Sequence, residues 1–305
     1  MKALHYTAYG EPPRVSEITE PVLGSGELLV RVAGAALNPL DVKIGAGYVK
    51  DYFPITFPSV VGTDLAGTVE RVGPGVTGWS VGDAVIARTD PTSGGAVAEY
   101  VAVPASLLAA APSAVPLARA AGLATAAATA WQAVFEVADL KAGQTVLVHG
   151  GAGGVGGFVI QFAHAVGARV VTTVSREGAE IVRKLGAHRV VDYTTTDFRV
   201  EVPHADVVVD PIGGAIEAAS LEVLRPGGLL VSLNVPPDFE RAAAYEVRAE
   251  FVFHGSDAAR LAKVAAAADE GLEIVVDRTV PLADAAAAFG HLAAGHAKGK
   301  VIVQP

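Results

Sequence analysis

Three glycines spaced as G-x-G-x-x-G, at Gly151, Gly153 and Gly156, are the residues of this sequence that point most directly to chemistry. In this pattern the first glycine permits a tight turn, the second lets a pyrophosphate approach the backbone, and the third lets a helix pack on a strand. The helix N-terminus offers N–H donors and partial positive charge to the phosphates. An ordinary turn is the alternative, but the β-like run at 146–148 and the helical apolar pattern after the motif give it the required strand–turn–helix setting. We therefore predict a dinucleotide-binding turn made of Gly151, Gly153, Gly154, Val155 and Gly156.

The residues after the next predicted strand indicate which dinucleotide is bound. A site for NAD places Asp or Glu at the end of that strand, where the carboxylate binds the ribose 2′-hydroxyl. Here the strand at 168–174 is followed by Ser175 and Arg176, and a hydroxyl with a guanidinium suits a 2′-phosphate. We predict NADP(H) as the cofactor, with Lys184 and Tyr193 as further candidates at the same phosphate. The alternatives are that Arg176 and Lys184 are solvated surface charges and that Tyr193 caps a core.

Two stretches of different character must position these residues. From residue 145 onward β-like runs alternate with helical ones, a rhythm that argues for a parallel, doubly wound sheet. The first hundred residues instead form short β-rich runs separated by Gly/Pro turns, and Pro112 and Pro116 mark the boundary. After Gly271 the sequence continues with a β-like run, an Ala-rich helix at 283–294 and a last strand at 300–303.

The composition excludes several classes of function. The 23 basic and 32 acidic residues leave a net charge of −9 with no basic stripe, so we expect no nucleic-acid partner. No apolar run reaches the ~18 residues that a membrane span needs, and the N-terminus has no apolar segment typical of a secretory signal. Because the sequence contains no cysteine, disulfides and thiolate zinc sites are excluded. We therefore expect a cytoplasmic protein without a membrane partner.

Several segments spread over nearly the whole chain carry a resemblance to a known family. They are MKALHYTAYG at the N-terminus, NPLDVKIGAG from Asn38, GTDLAGTVERVGPGVTGWSVGD from Gly62, TAWQAVF from Thr129, LVHGGAGGVG from Leu147, LRPGG from Leu224 and GKVIV from Gly299. With these motifs the sequence resembles the medium-chain dehydrogenase/reductase superfamily, in its zinc-free quinone oxidoreductase-like branch. The resemblance implies an α/β fold: a GroES-like β-rich catalytic domain at 1–116 and 271–305, and a Rossmann domain with a doubly wound parallel sheet at 117–270.

The chain departs from the zinc-dependent branch of that family at the metal ligands. Zinc alcohol dehydrogenases have G-H-E where this chain has Gly62, Thr63 and Asp64, and a catalytic cysteine in the segment that here reads Asn38-Pro39. Catalytic zinc needs about three protein ligands plus an open position, and Thr63 cannot replace the histidine. We therefore predict that the protein binds no metal.

The absence of a Lewis acid limits the reaction. Oxidising an alcohol at neutral pH is difficult when nothing lowers its pKa. Reducing a quinone or an α,β-unsaturated carbonyl is easier, because hydride reaches an electrophilic acceptor and hydrogen-bond donors hold the charge that develops on its oxygen. The resemblance places the segment from Asn38 beside the nicotinamide, so Asn38 and Lys43 become candidate donors, Asp41 a positioning group and Tyr48 a donor or proton source. The alternatives are that Asn38 forms a turn, Asp41 caps a helix and Tyr48 only packs.

The resemblance also implies further contacts to the cofactor. Thr129 would line the nicotinamide pocket, and backbone groups at Asn234, Phe253, Lys298 and Lys300 would face the cofactor. The leading hypothesis is thus an NADPH-dependent reductase of quinones or enones. The alternatives are an enoyl reductase acting on a thioester and a cofactor-binding protein with little turnover.

One late segment bears on the oligomeric state. Residues 249–255, AEFVFHG, form an apolar β-like run that should lie near a sheet edge. An exposed edge of this kind is an aggregation hazard unless it is paired or covered, and in the family two such edges join across a two-fold axis. We therefore predict a homodimer formed largely by the Rossmann domain.

Overall fold

The computed structural model describes residues 1–202, 204–295 and 297–305. The chain folds into two units, the first made of residues 1–125 and 256–305 and the second of residues 126–255. Both boundaries lie inside the segment 117–270 that we predicted as the Rossmann domain. The difference arises because the helices at Leu117–Ala120 and Ala258–Asp269 pack their small apolar side chains on strands of the first unit.

The regular elements follow each other along the chain. The strands are β1 (Lys2–Tyr6), β2 (Arg14–Glu17), β3 (Glu27–Leu37), β4 (Ser59–Val60), β5 (Asp64–Val72), β6 (Ala84–Arg88), β7 (Tyr100–Pro104), β8 (Leu108–Ala110), β9 (Thr145–Val148), β10 (Arg169–Val174), β11 (Arg189–Asp192), β12 (Ala205–Asp210), β13 (Leu224–Ser232), β14 (Arg248–Phe251), β15 (Val276–Pro281) and β16 (Lys300–Gln304). The α-helices are α1 (Pro39–Gly45), α2 (Leu117–Ala120), α3 (Ala126–Trp131), α4 (Gly156–Ala165), α5 (Ala179–Lys184), α6 (Phe198–Glu201), α7 (Ala215–Ser220), α8 (Phe239–Ala244), α9 (Ala258–Asp269) and α10 (Ala285–Ala293).

The first unit is built on two β-sheets, as the β-rich runs of the sequence predicted. The larger sheet has the order β15-β16-β3-β5-β6-β8, with β7 also paired to β3, and the smaller has the order β2-β1-β4. The long strand β3, in the middle of the larger sheet, is buried over most of its length, because neighbouring strands and α2 cover it. The C-terminal strand β16 pairs antiparallel with β3 and so brings Lys300 beside the end of that strand.

The second unit is a six-stranded sheet with the order β11-β10-β9-β12-β13-β14, in which every neighbouring pair is parallel. This is the doubly wound sheet that the alternation of strands and helices predicted. The strand order reverses between β9 and β12, and ligands of such sheets bind outside the carboxyl ends of the strands at that point. The edge opposite β11 is formed by β14, the early part of the segment that we predicted near an edge.

The Ala-rich stretch 118–137 is helical, which its alanine content favours, but it is not one helix. It contains α2, a 3₁₀ turn at Ala121–Leu123, α3 and a π-helix at Gln132–Val137. Small residues let this stretch lie close to its neighbours, and Ala120 through Ala128 are mostly buried. Among the described residues, no helix has both the length and the apolar character required to cross a lipid bilayer.

Candidate functional site

The predicted dinucleotide turn follows β9 and ends where α4 begins, at the point where the strand order of the sheet reverses. A Cβ atom on Gly156 would lie 2.4 Å from the carbonyl oxygen of Gly150, and one on Gly151 would lie 2.1 Å from Oγ1 of Thr172. Protein packing therefore requires glycine at both positions. The turn is closed by hydrogen bonds from the Gly151 amide to the Thr173 carbonyl oxygen and from the Gly153 amide to that of Gly150.

Gly153 is glycine for a different reason. A Cβ atom there would meet one protein atom within 4 Å, the carbonyl oxygen of Gly150 at 3.1 Å, so the protein itself nearly accommodates a side chain. Gly154 and Val155 follow, and Val155 is the N-cap residue of α4. The first turn of a helix leaves backbone N–H groups without intrahelical partners. Bare backbone with open space at a helix N-terminus fits a pyrophosphate.

The residues predicted to bind the 2′-phosphate lie at the adjacent ends of β10 and β11. Ser175 and Arg176 follow β10 directly, and the Tyr193 amide donates to the Val174 carbonyl oxygen at 3.2 Å. The ring of Tyr193 is exposed. A hydrogen bond from Thr194 and, more weakly, the charge of Arg176 lower the pKa of the Asp192 carboxyl. The structure thus brings Ser175, Arg176 and Tyr193 to one corner of the sheet.

The other predicted residues of this unit have separate positions. Asn234, beyond β13, donates from Nδ2 to the carbonyl oxygen of Ile212 at 2.6 Å, which joins the loops after β12 and β13. Phe253 lies beyond the end of β14 and is largely exposed, whereas Thr129 is buried within α3. Lys184, at the C-terminal end of α5, forms an ion pair with Glu180 on the same helix at 2.9 Å.

Two of the candidate catalytic residues of the first unit, Asn38 and Asp41, lie at the buried N-terminal end of α1. Asn38 precedes α1, and its backbone N–H donates to Oδ2 of Asp41 at 2.7 Å, so Asp41 does cap this helix. The ammonium group of Lys300 donates to Oδ1 of Asn38 and to the carbonyl oxygen of Leu37 at 3.3 Å. These contacts fix the orientation of the Asn38 amide. Lys298, two residues before Lys300 and outside β16, donates its backbone N–H to Asp277.

Asp64 extends this cluster. Its carboxylate accepts hydrogen bonds from the backbone N–H of Thr125 at 3.0 Å and from the hydroxyls of Thr125 and Thr63. Arg88 donates from Nε to the Thr125 hydroxyl at 3.0 Å, and Lys300 Nζ lies 3.8 Å from Oδ2 of Asp64. Two carboxylates and two cations are therefore buried together. Sequence reasoning named Asp41 and Lys300 separately but missed Asp64, Arg88 and the cluster itself, because its members lie far apart along the chain.

Burial shifts the titration of this cluster. Burial raises the pKa of Asp41 to about 7, although the hydrogen bond from the Asn38 backbone opposes the shift. Burial also lowers the pKa of Lys300, while the carboxylates of Asp64 and Asp41 oppose that change. The attraction between charges of opposite sign offsets part of the cost of removing each of them from water.

The last two candidate catalytic residues lie at the other end of α1. Lys43 is in the last turn of the helix, and burial lowers the pKa of its ammonium group. The backbone N–H of Tyr48 donates to the carbonyl oxygen of Lys43 at 3.0 Å, and the ring of Tyr48 is 83% exposed. An exposed ring and a half-buried ammonium can both reach a ligand, so the assignment of these two residues stays a prediction.

Comparison with known proteins agrees with this architecture. Residues 24–113 match the alcohol dehydrogenase GroES-like domain, and residues 185–303 match a domain described as zinc-binding dehydrogenase. The chain is 36% identical over 322 residues to the chloroplastic NADPH-dependent alkenal/one oxidoreductase of Arabidopsis thaliana, which spans all of this chain and 80% of that protein. The chain belongs to the medium-chain dehydrogenase/reductase family.

Solved structures assign it to the quinone oxidoreductase-like branch of this family. The quinone oxidoreductase from Coxiella burnetii superposes with a TM-score of 0.93 at 29% identity, covering 100% of this chain and 99% of that one. A mycobacterial protein in complex with NADPH superposes with a TM-score of 0.90 at 34% identity, covering 100% of both chains.

This member of the medium-chain dehydrogenase/reductase family has hydrogen bonds where zinc-dependent members have metal ligands. The hydroxyl of Thr63 donates to Asp64 at 3.0 Å, and Oδ1 of Asn38 accepts from Lys300. An ammonium and a guanidinium in the same cluster oppose the binding of a divalent cation. In the described part of the chain, no group of three or more His, Cys, Asp or Glu side chains is arranged to hold a metal. The donor set does not fit zinc.

His149 is a further residue that sequence reasoning missed, although it directly precedes the glycine turn. The side chain is 1% exposed, and its two ring nitrogens lie 2.9 Å from the hydroxyls of Thr173 and Ser220. Burial lowers the pKa of His149 to about 4, so the imidazole is neutral at physiological pH. Polar residues directly before a glycine motif are the signal that could have identified it.

The lowered pKa of His149 predicts acid sensitivity of the second unit. Between pH 6.5 and about 4 the unfolded chain binds a proton at this residue that the folded unit does not, so stability falls as pH decreases through this window. At pH 5 the expected loss is about 2 kcal/mol relative to neutral pH. Urea unfolding of a Trp79→Phe background, in which Trp131 reports on the second unit, would measure this loss. His149→Asn in the same background should remove it, whereas an equal loss in both proteins would contradict the assignment.

Proposed function

We propose that this protein reduces quinones or α,β-unsaturated carbonyl compounds with hydride from NADPH, and that it does so without zinc. The observation that carries the proposal is the glycine turn at the switch point of the sheet, with Ser175 and Arg176 at the end of the adjacent strand. The acceptor class is supported by the names of the Arabidopsis alkenal/one oxidoreductase and the Coxiella quinone oxidoreductase.

The residues that would hold the dinucleotide lie at the carboxyl ends of neighbouring strands of the parallel sheet. The backbone N–H groups of residues 154–156 would receive the pyrophosphate, and Ser175 and Arg176 would bind the 2′-phosphate with Tyr193 beside them. When bound, NADPH supplies a hydride from C4 of its nicotinamide ring. NADH has no 2′-phosphate and gains nothing from Arg176, so this arrangement favours NADPH.

For the acceptor, we assign the roles to residues at the start and end of α1. Asn38 and Lys43 would donate hydrogen bonds to the oxygen on which negative charge develops, which is where such donors accelerate the reaction. Asp41 would position Asn38 through the bond to its backbone N–H, and Tyr48 would supply a proton. The bond from Lys300 to Oδ1 of Asn38 supports this role, because it leaves the amide nitrogen of Asn38 as the group that can donate.

A panel of acceptors tests the proposal. NADPH consumption is measured with benzoquinone, phenanthrenequinone, a medium-chain alkenal and crotonyl-CoA under identical conditions. We expect turnover with a quinone or with the alkenal, since both accept hydride without a Lewis acid. Turnover with crotonyl-CoA alone would support the enoyl-thioester alternative. Binding of NADPH without turnover on any acceptor would support a cofactor-binding protein instead.

The proposed absence of zinc gives a separate prediction. Elemental analysis of untagged protein should find far less than one zinc per chain, because Thr63 and Asn38 replace the ligands of zinc-dependent members and Lys300 adds a positive charge. Incubation with EDTA should leave NADPH turnover unchanged. Stoichiometric zinc that is lost together with activity would contradict the prediction.

We also propose a homodimer that forms through the exposed edge of β14. The Val252 amide donates to the Ser232 carbonyl oxygen at 3.0 Å, so by alternation the amides of Ala249 and Phe251 point away from β13. An open row of such amides is a template for pairing with a second copy. Val252 itself is buried, so a charge at that position would disrupt the unit rather than test the interface.

Ala249→Pro should therefore convert the dimer to a monomer that still binds NADPH. Proline removes one outward amide and leaves the bonds to β13 in place. Light scattering gives the mass of each protein, and Ala249→Val is the matched control because it keeps the amide. A monomeric parent protein would rule the dimer out, and a dimeric proline variant would place the interface elsewhere.

A further inference from the structure

The side chain of His149 is buried directly behind the glycine turn and makes two directional hydrogen bonds. Nδ1 lies 2.9 Å from Oγ1 of Thr173 in β10, and Nε2 lies 2.9 Å from Oγ of Ser220 in α7. The ring also packs edge-on against Phe198, with 4.8 Å between the ring centroids. Burying an imidazole is costly compared with burying an apolar side chain of similar size. The bonds, rather than the filled volume, therefore explain a histidine at this position.

The positions of the protons in this network follow from its partners. Ser220 donates its single hydroxyl hydrogen to the carbonyl oxygen of Ile216 at 2.7 Å, so its oxygen must accept from Nε2–H of His149. A neutral imidazole carries one N–H, which leaves Nδ1 as an acceptor. The hydroxyl of Thr173 must then donate to Nδ1. Its oxygen in turn accepts from the backbone N–H of Gly150 at 3.4 Å.

The result is one chain of hydrogen bonds with a single direction. It runs from the Gly150 amide through the Thr173 hydroxyl and the His149 ring to the Ser220 hydroxyl and the Ile216 carbonyl. Bonds in such a chain polarise each other in the same sense, which strengthens each of them. The first donor of this series is Gly150, which directly precedes the turn at Gly151 and has a φ of 60°, in the left-handed region.

Thr173 holds the turn in two ways. Its carbonyl oxygen accepts from the Gly151 amide at 3.1 Å, and its hydroxyl accepts from the Gly150 amide. Without an acceptor at Nδ1 of His149, the Thr173 hydroxyl rotates, and its lone pairs no longer face Gly150. The turn then loses one of its two attachments to β10, and the N–H groups that follow lose their fixed direction.

We propose that His149 is a positioning residue of the dinucleotide site, which acts through Thr173 to fix the turn that binds the pyrophosphate. This inference rests on the proposed function, since it concerns binding of the same dinucleotide. At 1% exposure, His149 does not itself contact a ligand. Its effect on affinity is therefore transmitted through the Thr173 hydroxyl to the amide of Gly150.

Two pairs of variants test the proposal by separating the bonds of the network. His149→Asn keeps an acceptor near the position of Nδ1, whereas His149→Gln keeps a donor near Nε2 and loses that acceptor. Thr173→Ser keeps the hydroxyl, whereas Thr173→Val replaces it with a methyl group of similar size. Phe198→Leu is the control, because it disturbs packing against the same ring without breaking a bond of the network. For each protein the Kd for NADPH is measured by fluorescence and the Tm by calorimetry.

We expect His149→Gln and Thr173→Val to raise the Kd for NADPH about tenfold, the effect of one lost hydrogen bond. For His149→Asn and Thr173→Ser, the Kd for NADPH should stay within about threefold of the value for the parent protein, because both variants keep the hydrogen bond between residues 149 and 173. Phe198→Leu should lower the Tm without changing the Kd. A Kd that is unchanged in both Thr173→Val and His149→Gln, with only the Tm lowered, would overturn this inference but not the proposed function. A parent protein that does not bind NADPH would overturn the proposed function as well.

Discussion

Replacing Gly153 with alanine should weaken NADPH binding at least about 100-fold, while the second unit remains folded. A Cβ atom at this position meets only the Gly150 carbonyl oxygen, at 3.1 Å, so the protein needs to move by a few tenths of an ångström. The same Cβ fills the space that the pyrophosphate requires next to the backbone. Isothermal titration with NADPH and the Tm of the free protein measure the two effects separately.

Gly156→Ala is the matched comparison, and its effect should be mainly on stability. A Cβ atom there would lie 2.4 Å from the Gly150 carbonyl oxygen and 2.8 Å from Cα of Gly151, and both are backbone atoms that cannot rotate away. We expect the second unit to lose roughly 3 kcal/mol of folding free energy, the cost of overpacking a rigid site. If Gly153→Ala lowered the Tm as much as Gly156→Ala, Gly153 would be a packing residue and the ligand-based explanation would be wrong.

Arg176→Ala should remove most of the preference for NADPH over NADH. Loss of a charged hydrogen bond to the 2′-phosphate should weaken NADPH binding by ~1–3 kcal/mol, which is about 5- to 150-fold, while NADH binding changes little. The Kd of each dinucleotide for each protein is the measurement. Arg183→Ala is the control, because Arg183 is also exposed but lies further along α5. Equal affinity of the parent protein for NADPH and NADH would contradict the predicted specificity.

Much of the fold follows from local sequence patterns. The β-rich runs between Gly/Pro turns predicted the strands of the first hundred residues, and the rhythm of strands and helices from residue 145 predicted the parallel sheet. The spacing of the glycines predicted the turn before α4. Such signals are local, because a strand, a turn and a helix start are each encoded within about ten residues. The position of β14 at the sheet edge also agrees with the run predicted there.

The polar interior could not be predicted in the same way, because its partners are remote in sequence. Lys300 reaches Asn38 only because β16 pairs with β3, and His149 reaches Ser220 only because α7 packs on β12, the neighbour of β9 in the sheet. The role of the Lys300 backbone toward the cofactor stays a prediction, and the bond from its ammonium group to Asn38 is a contact that the resemblance did not imply. The limits of the second unit differ from the predicted domain because α2 and α9 pack on strands of the first unit, and such packing is not readable from the local sequence. The cytoplasmic location stays a prediction.

The central claim is that hydride passes from NADPH to an electrophilic acceptor, and isotope transfer tests it most directly. The enzyme is supplied with NADPH carrying deuterium at C4 in each of its two stereochemical forms, together with an alkenal, and the product is examined by mass spectrometry and NMR. We predict that one form, and not the other, transfers a single deuterium to the β-carbon, with the carbonyl group intact. A product without deuterium at that carbon, or an alcohol formed by reduction of the carbonyl, would contradict the proposed reaction.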